Sequence, residues 1–491
     1  MKKLVIIGSG FAGLSAASFM AKAGWDVTVL EKLDCPGGRA RQLKADGFIF
    51  DMGPSWYWMP DVFERFFNCF GKKVSDFYQI ERLDPSYRVY WADEEMDIPA
   101  NYMAIKNLFE NIEPGSGNEL DKFIKEAAYK YEVGINNLVH KPGRSFSEFL
   151  NLDLLKGIFK LDVFTSMKNH VSRYFKHPKL KLLMEFPVLF LGAMSKDIPA
   201  LYSLMNYADI KLGTWYPKGG MYQIVEAMYE LARAEGVKFI FNSEVTAIEV
   251  KDTIASKVHT RSGETYEIHA VIGAADYHHI EMNLLPVNCR SYTEQYWNKR
   301  VMAPGCLLYY IGINKKLNSV LHHSLFFDVD FERHGMEIYT EPKWPNDPLF
   351  YVCTSSITDI SVAPEGCENL FFLIPVSAGL SGDTEELRNS YFEKILDRFE
   401  KRTGQSIREA IIYKKTYSIT DFADDYHSFK GNAYGLANTL MQTAVLKPKM
   451  RSKKVKNLFF TGQLTVPGPG VPPSLISGEV VSKEVVKYFG N

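Results

Sequence analysis

Residues 3–41, KLVIIGSGFAGLSAASFMAKAGWDVTVLEKLDCPGGRAR, constrain this chain more than any other stretch. Leu4 to Ile7 is an apolar, β-branched run, the pattern of a buried parallel strand. Glycines follow at Gly8, Gly10 and Gly13, then a helical segment from Phe11 to Ala23 stopped by Gly24. A second strand, Asp26 to Leu30, ends at Glu31 and Lys32. Strand, glycine turn, helix and strand make a βαβ unit with a dinucleotide fingerprint. Gly8 permits the turn, Gly10 lets a pyrophosphate approach the backbone, and Gly13 lets helix and strand pack closely. The helix start at Phe11 and Ala12 offers phosphates free N–H groups and a positive dipole end. Glu31 stands where a carboxylate accepts hydrogen bonds from a ribose.

Pro36-Gly37-Gly38-Arg39, with Arg41 behind it, points to a flavin rather than a nicotinamide. Adjacent glycines let the chain pass close to a ligand. The arginines can reach phosphate or flavin carbonyl oxygens. The other end of the chain adds a second ligand-facing motif. A buried strand, Val455 to Phe460, leads into Thr461-Gly462-Gln463 and the rigid turn Pro467 to Pro473. A helix is expected from Ser474 or Leu475 to Tyr488. A nucleotide domain built from both ends of the chain is therefore discontinuous.

GSGFAG, Glu31, PGGRAR and DGFIFDMGPSWYWMP (Asp46 to Pro60) together resemble the bacterial phytoene desaturase family of FAD-dependent carotenoid desaturases. The resemblance covers essentially the whole chain, including the C-terminal strand–glycine–helix signature. It implies FAD as cofactor, an amine-oxidase-like architecture and a C40 polyene substrate reached at a membrane surface. It also implies that hydride leaves an allylic carbon for the flavin and that a proton then leaves the neighbouring carbon. It places Gly53 and Pro54 near the flavin, the backbone amide of Val245 on the adenine, and Gly462 and Val471 in the closing signature. The substrate expectation spans phytoene and a later, hydroxylated carotene oxidised at its 3,4 bond. A flavin amine or porphyrinogen oxidase on the same scaffold is the alternative. A non-enzymatic, Rab-escort-like chain would not need the fingerprint to be intact.

At 491 residues the chain exceeds one ordinary core. The expected fold class is α/β: a discontinuous Rossmann-like FAD-binding domain (1–90, 215–282 and 440–491) and an antiparallel-sheet substrate domain (91–214 and 283–439). Residues 102–200 read as mainly helical and membrane-contacting. Leu152, Leu155, Phe159, Val163, Met167, Val171 and Phe175 recur at helical spacing, with Lys156, Lys160, Lys168 and Arg173 elsewhere. A cationic amphipathic helix of this kind lies in a bilayer interface or packs on a core. Beyond the first βαβ unit, no uncharged run approaches a spanning length, so any membrane contact is at the surface. The expected location is the cytoplasm, peripherally on the inner face of the cell membrane.

A net charge of −1 gives no sign of nucleic-acid binding. The six cysteines form no CxxC pair, and neither His278-His279 nor His322-His323 has companions at metal-ligand spacing, so no metal is expected. Trp56, Tyr57, Trp58 and Met59 form either a hydrophobic plug or a channel wall. Arg144, Asp197 and Asp209 read as structural, Asp383 and Glu386 as a capping box, and no catalytic base stands out. Oxygen or a membrane quinone reoxidises the flavin; the residues do not choose.

Overall fold

The computed structural model describes residues 1–145, 148 and 161–490. Five short parallel strands form the first sheet, in the order Leu458–Phe460, Ala270–Gly273, Lys3–Ile7, Asp26–Leu30 and Lys238–Ile240. Its central strand is almost wholly buried, which explains the absence of polar alternation in Leu4 to Ile7. The helices Phe11–Lys22, Tyr222–Ala234 and Val471–Phe489 accompany this sheet. A three-stranded antiparallel sheet, Val245–Lys251, Ile254–Thr260 and Thr265–Glu267, is inserted before Ala270–Gly273.

The second large sheet has seven strands, in the order Ile411–Tyr417, Gly305–Ile313, Glu368–Val376, Phe350–Cys353, His323–Phe327, Tyr87–Trp91 and Glu95–Ile98. Its pairings are antiparallel except one, His323–Phe327 against Tyr87–Trp91. The strand Tyr87–Trp91 thus belongs to this sheet, although residue 90 closes the first nucleotide segment in the sequence reading.

Helices fill the region after this sheet's edge. Asn101 caps Tyr102–Ile112 by accepting from the N–H groups of Met103 and Ala104. Ser116–Val133 follows and ends in a π-helical turn, Gly134–Leu138. Most of the amphipathic stretch expected over Leu152 to Phe175 lies outside the described residues. Its remainder is not one continuous helix. Residues 161–165 form turns, and Ser166 Oγ caps a separate helix, Met167–Tyr174. Met167, Val171 and Phe175 are fully buried in the core, and Lys168 pairs with Glu332. In this part the apolar stripe faces the protein.

Two caps also differ from expectation. Thr384, not Asp383, caps Glu385–Thr403, while Asp383 makes a two-pronged bond to Arg388. The last helix starts at Val471, because Pro472 and Pro473 occupy its first turn, where no N–H is missed. Among the described residues, no helix is long and apolar enough to cross a membrane.

Candidate functional site

A cavity of about 460 Å³ runs between the two large sheets. At one end its wall is made by the ends of the parallel strands and the starts of two helices. Gly8, Gly10, Phe11, Ala12, Glu31, Lys32, Gly38, Arg39, Gly53, Pro54, Val245, Gly462 and Val471 all line it. Gly13 does not. A Cβ there would lie 2.1 Å from the Gly8 carbonyl oxygen, so Gly13 sets the approach of helix to strand.

Local sequence explains this end. Gly8 takes a φ of +100°, and its N–H bonds Leu30 O at 2.9 Å. Gly10 precedes the first helix and pairs with Gly37. A Cβ on Gly10 would meet nothing nearer than Gly37 O, at 3.9 Å, which leaves room beside the helix start. The Glu31 carboxylate accepts from Ser9 N and Ser9 Oγ, both at 2.7 Å, and from Leu33 N at 3.0 Å. It is therefore held rigidly at the strand tip. Arg39 is half-buried. One Nη donates to Ser428 Oγ at 2.9 Å, while its Nε has no partner among the described residues. Burial pushes the Arg39 guanidinium down from its usual range, against the nearby Asp276 carboxylate. Arg41 does not itself line the cavity; it pairs with Asp425 and donates to Tyr426 OH, two residues that do.

The second helix start, at Val471, lies against the first. Gly478 makes this possible: a Cβ there would sit 2.5 Å from Ala12 O. Ser15 Oγ donates to Leu475 O at 2.7 Å across the same contact. Two helix N-termini therefore open on one end of the cavity, a favourable place for negative charge.

The other end is an apolar arm. Trp56, Trp58, Met59, Phe186 and Phe327 line it from one side, and Leu308, Leu349 and Leu373 from the other. The aromatic run is divided in role. Tyr57 is fully buried, bonds Tyr78 through its hydroxyl and stacks on Phe63, while its neighbours face the cavity. His334 also lines the arm, but Leu349 N–H and Pro375 O satisfy both its nitrogens, and burial holds it neutral, its pKa down to about 4.

Several wall residues had no local signal in the sequence. Asp276 caps the turn after Ala270–Gly273 and accepts from Phe429 N–H; burial raises its carboxyl. His279 lines the cavity and stacks on His427 at 3.9 Å; burial, then that neighbour, holds it down to about 3. Its neighbour His278 pairs with Glu294. Asp209 is structural, accepting from Tyr87 OH, and Arg144 pairs with Glu484. Ser55 and Tyr351, separated by nearly three hundred residues, meet at 2.9 Å on the wall between the two ends.

The profile of the flavin containing amine oxidoreductase family matches residues 11–486. The chain belongs to that family. Among its relatives, a carotenoid 3,4-desaturase of Haloarcula japonica is 40% identical over 99% of this chain and 98% of its own. A zeta-carotene-forming phytoene desaturase of Myxococcus xanthus is 31% identical over 99% and 94%. In fold, the chain is similar to an oxidoreductase from Methanosarcina mazei, with a TM-score of 0.63 at 14% identity, covering 98% of this chain and all of the other.

The polar end suits the flavin of a flavin containing amine oxidoreductase. It combines open space at Gly10, a half-buried arginine with an unused, buried Nε–H and two converging helix N-termini. All three are complements to a phosphate-bearing cofactor.

Proposed function

We propose that this chain is an FAD-dependent carotenoid desaturase. The observation that carries the proposal is the cavity's two-part character: a glycine and arginine cradle opening directly into an apolar arm. The near-full-length likeness to a carotenoid 3,4-desaturase supports it independently. In this reading Gly8, Gly10, Phe11, Ala12 and Arg39 hold the pyrophosphate, and Glu31 and Lys32 the ribose. Val245 takes the adenine, while Gly38, Gly53, Pro54, Gly462 and Val471 border the ring system. Bound there, FAD supplies a two-electron acceptor for hydride. The protein's part is to hold the polyene beside it, exclude water and dispose of a proton.

The nucleotide domain is proposed as residues 1–86, 215–282 and 440–491, with the seven-stranded sheet and the helical region forming the substrate domain. An amine substrate is disfavoured because, among the described residues, the arm's wall carries no charged side chain. Access from a bilayer suits an insoluble substrate. We place the chain on the cytoplasmic face of the membrane as a peripheral protein, with oxygen or a quinone as the terminal acceptor. Lys156→Glu with Lys160→Glu is expected to weaken binding to anionic liposomes; unchanged sedimentation would remove this contact.

The test is anaerobic incubation of FAD-loaded protein with liposomes carrying phytoene or a 1-hydroxylated carotene. Flavin bleaching with red-shifted polyene bands from phytoene marks an early, multistep desaturase. Reaction with the hydroxylated carotene alone marks a 3,4-desaturase. A yellow protein inert to both would overturn the proposal.

A further inference from the structure

The desaturation reading requires a proton acceptor, and this inference rests on that reading. We propose that Ser55, Tyr351 and His323 form the chain that takes up the proton leaving the substrate. Tyr351 OH lies 2.9 Å from Ser55 Oγ and 2.6 Å from His323 Nδ1. Ser55 and Tyr351 line the large cavity, and His323 is fully buried behind them. Each of the three groups can donate or accept. The chain can therefore be polarised in either direction, with the Tyr351 proton toward Ser55 or toward His323.

Its place in the cavity suits the task. Ser55 is two residues beyond Gly53, whose missing Cβ would lie 2.4 Å from Arg39 O in the cradle. Trp56, the next residue, stacks on the His323 ring at 4.1 Å and 9° and packs near Phe186 in the apolar arm. The chain thus sits at the seam where cradle and arm meet. A substrate carbon that has delivered hydride must have its neighbouring C–H close to that seam.

Behind the chain lies a second, small cavity of about 20 Å³, with Ser55 in the wall shared by both. Its other walls include Asp51, Tyr216, His322 and Cys353. That is room for one water among polar partners. The Nε2 atoms of His322 and His323 have no partner among the described residues. Burial holds both imidazoles neutral and makes them weak bases, so His323 takes a proton only from an acid as strong as a polyene cation. A structural tyrosine–serine bond needs none of these buried acceptors.

The step balances without any further reagent. The C–H bond beside the cationic carbon breaks, and its electron pair becomes the new double bond. The proton passes to Tyr351 Oη as the tyrosine's own proton passes to His323 Nδ1. Tyr351 stays neutral, and the positive charge moves from the polyene to the imidazole. The oxidant is the flavin that received the hydride.

Tyr351→Phe and Ser55→Ala test this in the FAD-loaded protein. In Tyr351→Phe we expect kcat to fall by about 10²-fold, with KM changed less than about twofold. We also expect the isotope effect from deuterium on the proton-losing carbon to rise as that step becomes limiting. The ¹⁵N resonances of His323 report the loss of the Tyr351 bond without turnover, and flavin content and melting temperature control for folding. Ser55→Ala should show a smaller form of the same pattern. Wild-type kcat in Tyr351→Phe, or a loss of rate with no change in isotope effect, would overturn the relay while leaving the desaturase reading intact. Failure of the unaltered protein to oxidise any carotenoid would instead sink that reading.

Discussion

Two glycines three residues apart have opposite reasons to be glycine. At Gly10 an added Cβ has space on the protein side, whereas at Gly13 it would strike Gly8 O at 2.1 Å. Gly10→Ala should leave the apoprotein's stability within about 0.5 kcal/mol yet weaken flavin binding at least about tenfold. Gly13→Ala should lower stability by about 3 kcal/mol. Denaturant unfolding and flavin titration separate the two effects. Asp51 gives a second residue-scale expectation. Burial raises its carboxyl from 3.8 to about 7, although it accepts from Met221 N and Tyr222 N. A raised carboxyl pKa stabilises the fold below the unfolded value, and that contribution is lost as pH climbs through 7. The loss is of the order of 4 kcal/mol. Asp51→Asn should flatten the pH dependence of unfolding between about pH 4 and 7. Gly8, Gly10 and Gly13 were legible because their spacing is local. Ser55, Tyr351 and His323 were not, since strand pairing in the second sheet sets His323 beside Tyr351 and a distant loop after Phe48–Asp51 carries Ser55 to them.

Among the elements, the closing helix Val471–Phe489 carries the most consequence. It packs through Gly478 against Ala12 and Ser15, so it fixes the angle of the first helix. Its buried Glu479 takes both prongs of Arg65 at 2.8 Å. Burial pushes the Glu479 carboxyl up, but Arg65 and Lys483 outweigh that and hold it at about 2. This stabilisation is complete above the unfolded glutamate range and is lost as pH falls from about 4 to 2. Arg65→Met should destabilise the protein by about 2–3 kcal/mol at pH 7. That is less than for a deeply buried pair, because the Arg65 side chain is 39% exposed. The difference from wild type should shrink below pH 3; a constant difference would refute the pairing's role. The helix was visible in the sequence, but its start was read three or four residues late, since prolines signal a turn as readily as a first turn. The stripe through Met167, Val171 and Phe175 left two readings open for a related reason. Periodicity shows that one face is apolar, not whether protein or lipid covers it.

At the scale of the whole molecule, the cavity exists only between the sheets, and its arm is set by the second. Leu373, partly accessible on Glu368–Val376, reaches the arm wall. Leu373→Trp should fill the arm, leaving flavin content unchanged while abolishing turnover of C40 polyenes. Red-shifted polyene bands formed as in the wild type would show that the substrate lies elsewhere. The parallel sheet was readable from apolar runs separated by helices. The seven-strand order was not, because it joins strands as far apart as Tyr87–Trp91 and His323–Phe327 across nearly the whole intervening chain. The discontinuous first sheet has a consequence for biogenesis. Lys3–Ile7 is made first, yet it borders Ala270–Gly273, which in turn borders Leu458–Phe460. During synthesis the nascent N-terminal strand must wait, unpaired on that side, for more than half the chain. The berth of the cofactor is complete only once Gly462 and Val471 have left the ribosome, so the N-terminal fingerprint alone cannot hold it in full.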